Sequence, residues 1–207
     1  MKAEKVLVLL QRLKAIAETG ITHSESGYDL ERYEEIRTIS LRLLGDWVDE
    51  PLAKLEDFFL TPEDYPTPKV DVRAFVRNEK GEVLLAQESV DGKWTIPGGW
   101  ADIGETPKES VLKEVSEETG LEAEVVRLLA VYDKRCHDHP PRPHYVYKLI
   151  FECRVLGGQL RPGFDMKGAA FFDWNQLPEL STDRILKSQL EHLKTLAEAE
   201  EAEVYFD

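Results

Sequence analysis

Between residues 98 and 122 the chain carries six glutamates, Glu105, Glu109, Glu114, Glu117, Glu118 and Glu122. Like charges one helical turn apart repel, by roughly 0.2–0.5 kcal/mol per pair. Such a cluster is either a solvated acidic face or a cation site. On a helix, at about 100° per residue, Glu114, Glu117 and Glu118 share an arc of roughly 100°, beside the apolar arc of Val111, Leu112 and Val115. Carboxylates at this density suit a hard cation such as Mg2+ or Mn2+. The preceding WTIPGGW lets the backbone pass close to a metal or a phosphate. Periodicity alone favours the solvated face; the spacing decides against it.

Gly99 is followed by five residues, Glu105, seven residues, then Lys113-Glu114-Val115-Ser116-Glu117-Glu118-Thr119-Gly120-Leu121. This resembles the Nudix box: Gly, five residues, Glu, seven residues, Arg-Glu-apolar-any-Glu-Glu-any-Gly-apolar. Lys113 is the one departure, standing where the family usually has Arg. The resemblance implies hydrolysis of a diphosphate that joins a nucleoside to another group, with release of a nucleoside monophosphate and with Mg2+ or Mn2+ as cofactor. It implies Glu114, Glu117 and Glu118 as metal ligands, with the Gly98 carbonyl as a further one. One of these acids, or the loop carboxylate Asp165, orients or deprotonates the water; Glu114, Glu117 and Asp165 are the catalytic candidates. Gly99 and Gly120 shape the box, and Glu105 pairs with Lys113. Lys offers a point charge where Arg offers a planar fork, so that pair should be less rigid.

Outside the box the expected substrate contacts are Arg73 in VDVRAFV, Lys134, Arg135 and His139 in DKRCHDHPPRPHY, and Trp100 beside the glycines. Arg73, alternating with Val72 and Ala74, reads more readily as a solvated charge. Trp94 and Trp100 read as core or as stacking partners for a base. His137 with His139 suggests zinc only weakly, because the two cysteines and the histidines do not have the spacing of a zinc site.

These residues need elements to hold them. The 207 residues suffice for one domain and a small accessory piece. Apolar spacing predicts helices over 4–18 and 29–48, the second capped by Asp29. Three prolines in LTPEDYPTP mark a linker. The expected domains are a helical one over 1–60, a linker over 61–68 and a catalytic domain over 69–207. In the last, alternation predicts a hairpin of strands 70–78 and 82–88, then strands 121–135, 144–156 and 169–177. A glycine-rich loop containing WTIPGGW follows, and helices are expected over 106–119 and 182–200, the latter capped by STD. Strands interleaved with helices give an α/β fold: a mixed sheet in an α/β/α sandwich, the Nudix fold that the box implies, preceded by the small helical domain. LQRLKAIAETGITHSESGYDLERYEEIR is similar to the helical piece that precedes the box in one Nudix branch, of CDP-choline or ADP-ribose pyrophosphatase type. Its apolar stripe predicts a homodimer.

A net charge of −14 argues against DNA and anionic membranes as partners. The expected partner is a small nucleoside diphosphate derivative. Two cysteines at unrelated positions, no long apolar run and no cleavage signal predict a reducing, cytoplasmic location. Three alternatives are weaker. A nucleotide-sensing regulator would use the helices to read DNA, yet residues 1–60 hold eight Lys and Arg against twelve Asp and Glu. An RNA-end pyrophosphohydrolase is disfavoured by the acidic surface. An isoprenoid diphosphate isomerase would need a cysteine ahead of the helix, and none precedes Cys136.

Overall fold

The structure, a computed structural model, describes residues 3–58, 66–102, 104–199 and 203–207. It forms two compact units: one runs to Lys69 and includes Pro141–Tyr145, the other holds Val70–Pro140 and Val146–Asp207.

The first unit consists of α1 (Ala3–His23), α2 (Gly27–Val48) and α3 (Leu52–Phe58). Leu41, Leu44 and Leu55 form its core, with Leu7, Leu10 and Leu52 packed against them. Helix α1 runs past its expected end at Glu18 to His23. Ser26, not Asp29, caps α2: it is extended and its side chain accepts from the Asp29 N–H. The seven-residue α3 is too short to show a period and was not expected. Of the expected linker, residues 61–65 lie outside the described ones. Glu18 is buried but compensated, with Lys14 at 2.6 Å and Arg37 at 3.5 Å. Leu9, Leu13, Ile16, Ile39, Leu43 and Trp47 stay 37–55% exposed along α1 and α2. The Pro141–Tyr145 segment belongs here, because Gln11 Nε2 donates to the carbonyls of Arg142 and His144, both at 3.1 Å.

The second unit has two sheets. One has the order β4-β1-β6-β5-β8, the other β3-β2-β7. The strands are β1 (Lys69–Val76), β2 (Val83–Glu88), β3 (Trp94–Thr95), β4 (Gly98–Trp100), β5 (Leu121–Asp133), β6 (Val146–Gly158), β7 (Met166–Phe172) and β8 (Tyr205–Phe206). The β5–β8 pairing is parallel, whereas β5–β6, β1–β4 and β2–β7 are antiparallel. Two long helices follow the sequence expectation, α4 (Pro107–Thr119) and α5 (Lys187–Glu198). Val72, Ala74, Val76 and Leu84 pack with Val111 and Val115 of α4. Phe75, Val83 and Leu85 pack with Leu190 and Leu193 of α5. Alternate residues of β1 and β2 thus enter opposite cores, so the helices cover opposite faces: an α/β/α sandwich.

The expected hairpin over 70–88 is corrected. Strands β1 and β2 lie in different sheets, and just past β1 a single bridge joins Arg77 to Val83 across the Gly81 turn. The glycine-rich loop contains β3 and β4, too short for alternation to reveal. The last helix starts at Lys187, because Ser181 is drawn into a turn: its carbonyl accepts from Arg184 and Ile185, and its Oγ donates to Asp91 at 2.7 Å. The two-residue β8 carries no periodic signal and was not expected.

Candidate active site

Helix α4 is delimited by its own sequence. Thr106 caps it through a capping box with Glu109, Pro107 takes the first turn, and Gly120 ends it in the left-handed region (φ 69°). Burial of Val111 and Val115 then fixes which face turns inward. Glu118 is carried in with them and is only 6% exposed. Its Oε2 accepts the Gly98 N–H at 3.0 Å. Gly99 leaves room for Glu114, since a Cβ there would lie 2.5 Å from Glu114 Oε1.

Glu114 and Glu118 line a cavity of about 380 Å3, together with Gly98, Gly99, Trp100 and Asp165. Asp71, Arg73, Glu88, Lys134, Lys148, Asp183 and Arg184 supply the remaining charge. Burial, with repulsion from Glu117 and Asp71 and only partial relief from Arg73, pushes the Glu114 carboxyl up to about 7. Burial, with repulsion from Glu114 and Glu88, pushes Glu118 up to about 8 despite Arg73 and the Gly98 amide. Burial likewise raises Glu88, against the pull of Arg184, whose Nε stands 2.6 Å from Glu88 Oε1.

The other expected site residues are distributed unevenly. Glu117 is exposed and does not line the cavity, though its charge is felt at Glu114. Arg73 is not solvated: it is 6% exposed and directed at Asp71 and the Ile96 carbonyl. Lys134 lines the cavity, bound to Asp183 at 2.8 Å. Arg135 lies outside the lining, 3.1 Å from Asp133. His139 also lies outside it. Its Nδ1 sits 2.6 Å from the Thr182 carbonyl and must hold the proton, while Nε2 is buried without a partner. Burial drives this ring down to about 4, so it is neutral. His137 meets Asp207 at 3.0 Å. Trp94 packs edge-on against Phe172. Trp100 lines the cavity and is 49% exposed. Lys113 reaches Glu105 at 3.0 Å and Asp102 at 2.9 Å.

Sequence reading missed Asp71, Glu88, Lys148, Asp183 and Arg184. A signal existed for two of them. Asp71 and Arg73 are two apart on a strand and so share a face, and Lys148 interrupts the apolar run of β6.

Among the described residues no three ligating side chains stand close enough to hold one ion as placed. The donor chemistry nevertheless fits a divalent cation. Glu114, half-buried, and Glu118, buried, are all-oxygen donors whose charge nearby protein cations only partly neutralise, and the bare Gly99 leaves space beside them.

The NUDIX domain model matches residues 67–195. The chain belongs to the Nudix family. A second model, described as a UDP-X-like N-terminal oligomerisation domain, matches residues 4–59. A Bacillus subtilis (strain 168) protein, YjhB, provisionally named an ADP-ribose pyrophosphatase, is 39% identical over 203 residues, 98% of this chain and 97% of that one. The ADP-ribose pyrophosphatase of Methanocaldococcus jannaschii is 38% identical over 158 residues, 74% of this chain and 91% of its own. A solved structure of a UDP-X diphosphatase superimposes over the whole of both chains, with a TM-score of 0.64 and 33% identity. The chain is therefore a Nudix pyrophosphohydrolase, with its helical piece ahead of the catalytic fold. No described helix is long and apolar enough to cross a membrane.

Proposed function

We propose that this Nudix enzyme hydrolyses a nucleoside diphosphate joined to a sugar, of ADP-ribose type, and does so with Mg2+ or Mn2+. The observation that carries this reading is the pair of under-neutralised carboxylates, half-buried Glu114 and buried Glu118, in a cavity shared with Lys134 and Arg184. Glu114, Glu118 and the Gly98 carbonyl would hold the cation, with Glu117 turned in from its exposed position. Once bound, the cation neutralises the diphosphate and acidifies water.

This chain's own residues do the rest. Lys134 and Arg184 face the phosphates, and their partners Asp183 and Glu88 offer acceptors for sugar hydroxyls. Asp165 stands at the exposed rim of the cavity on the β6–β7 loop. It takes the proton as water attacks one phosphorus. The bridging P–O bond breaks, its electron pair leaves with the departing phosphate, and a nucleoside monophosphate and a sugar phosphate result. Choline fits less well. A quaternary ammonium is recognised by several aromatic faces, and Trp100 is the aromatic residue in the lining.

The helical unit is proposed to join two copies through the exposed stripe of α1 and α2, in keeping with the oligomerisation model it matches.

The test is product release from ADP-ribose, UDP-sugars and CDP-choline with Mg2+, Mn2+ or EDTA. AMP or UMP released from a sugar nucleotide, and abolished by EDTA, is the expected result. Turnover of CDP-choline alone overturns the sugar assignment. Turnover that survives EDTA overturns the metal assignment.

A further inference from the structure

Beneath the acids lies a second set of buried charges that the hydrolytic scheme does not use. Asp71 is 4%, Arg73 6% and Lys148 2% exposed. Asp71 Oδ1 accepts from Arg73 Nε at 2.9 Å, and its Oδ2 accepts from Lys148 Nζ. Arg73 has a second commitment: NH1 donates to the Ile96 carbonyl at 3.2 Å. Its stem lies on the next residues of the same turn, since a Cβ on Gly98 would meet Arg73 Cα at 2.8 Å and Cδ at 2.9 Å. Strand register adds to this, because Arg73 is opposite Gly98 in the β1–β4 ladder. Gly98 in turn donates its N–H to Glu118. A continuous path of contacts therefore runs from Lys148 through Asp71 and Arg73 to the 96–98 turn and ends on the carboxylate of Glu118.

We infer that Arg73 is the positioning residue that sets the Gly98 amide against Glu118, and that Asp71, braced by Lys148, fixes the guanidinium in that pose. The inference rests on the reading of Glu118 as a cation ligand. Each half of the fork has one task, Nε for Asp71 and NH1 for Ile96, and a lysine has only one head to offer. With Asp71 anchored on one oxygen by Lys148, Arg73 meets it through Nε, leaving NH1 for the turn. Removing Lys148 frees Oδ2, and Arg73 can then swing to a bidentate grip on Asp71 and release the Ile96 carbonyl.

Two substitutions separate positioning from simple charge. Arg73→Lys keeps the charge and loses the fork. Lys148→Met removes a positive charge near the acids, and Asp71 keeps Arg73 as partner, so the fold retains a compensated core. Coulomb attraction alone predicts tighter divalent binding in Lys148→Met, whereas positioning predicts weaker binding. The measurement is the Mn2+ dissociation constant by electron paramagnetic resonance, without substrate, together with hydrogen exchange at the Gly98 amide. Wild type and Glu118→Gln are the references.

The expected result is a rise of about tenfold or more in the Mn2+ dissociation constant for both variants, with faster exchange at Gly98. Metal titration should restore most of kcat in Lys148→Met. Unchanged or tighter Mn2+ binding in Lys148→Met, with Gly98 still protected, overturns the positioning role even if Arg73→Lys fails to fold. If instead Glu118→Gln binds Mn2+ as wild type does, it is the assignment of Glu118 as a ligand that falls.

Discussion

Two clusters of buried charge lie side by side in the catalytic unit, and they are finished to different degrees. In the lower one Asp71 has two cationic partners, and Arg73 and Lys148 flank it. Burial alone would raise the Asp71 carboxyl, but the two cations outweigh it and hold the group below its ordinary range. Burial pushes the Lys148 ammonium down to about 8, with Asp71 working against that shift. In the upper cluster the balance is reversed. Glu114 and Glu118 have Arg73 as a shared source of positive charge, and both are pushed toward holding a proton near neutral pH. Buried charge is costly unless it is paired. The lower cluster meets that condition within the protein, and the upper one does not. Under the proposed function the lower set is a frame and the upper set a receptor, completed by the cation.

The sharpest way to break this comparison is to remove charge from each cluster in turn. Glu118→Gln keeps size and can still accept the Gly98 N–H, yet it loses the anion. We expect kcat to fall by about 10³-fold, with the melting temperature of the metal-free protein unchanged or raised. Asp71→Asn should do the opposite and cost stability first, since it leaves Lys148 and Arg73 buried with a weakened partner. Steady-state kinetics and thermal melts on both variants decide it. Equal stability losses would mean that the two clusters are the same kind of structure.

A smaller effect is expected at Gly99. A Cβ there would press on the end of the Glu114 side chain rather than on backbone. Gly99→Ala should therefore fold normally and lower kcat by about 10²-fold through displacement of one carboxylate. Wild-type activity in this variant would remove Glu114 from the site.

Acidity gives a third handle. The Glu118 pKa rises from its ordinary 4.5 to about 8 on folding without metal. Between those values the folded state holds a proton that the unfolded state has lost. The Glu118 contribution to the stability of the metal-free protein is then fully present below pH 4.5 and is lost as pH rises toward 8. Because a cation competes with that proton, Mn2+ should raise the melting temperature more at pH 8 than at pH 5. Calorimetry at the two pH values tests the sign, and an equal gain at both would contradict it.

The contrast also explains what could be read from the sequence. The acids of the receptor sit at fixed intervals on one helix, so helical geometry alone brings Glu114 and Glu118 together, and the capping residues mark both ends of α4. For Glu117 the same logic reaches only the arc: on a helix three carboxylates can share it, while packing of Val111 and Val115 turns Glu118 inward and leaves Glu117 exposed. The frame was mostly illegible, because Asp71 and Lys148 are 77 residues apart and meet only through sheet order. Glu88, Asp183 and Arg184 were hidden for a similar reason, each being brought to the cavity by a strand end or a turn that carries no period. Strands β3, β4 and β8 were too short to alternate visibly, and the β1–β2 hairpin failed because the chain changes sheets after Gly81. The DKRCHDHPPRPHY stretch is continuous in the sequence, but Gln11 holds its distal part with the helices.

The smallest expected effect lies at the edge of the receptor, at the one position where the box departs from its family. Lys113 is exposed and divides one ammonium between Asp102 and Glu105, which raises its pKa well above the usual lysine range. Glu105 Oε2 is left buried without a partner. A guanidinium could reach both oxygens of Glu105 where the ammonium reaches one. Lys113→Arg should raise the melting temperature by about 1 °C, with kcat and the Mn2+ constant unchanged, since neither residue touches the acids. A change in kcat of tenfold would show that this junction positions Glu114, and the receptor would then extend to the start of α4.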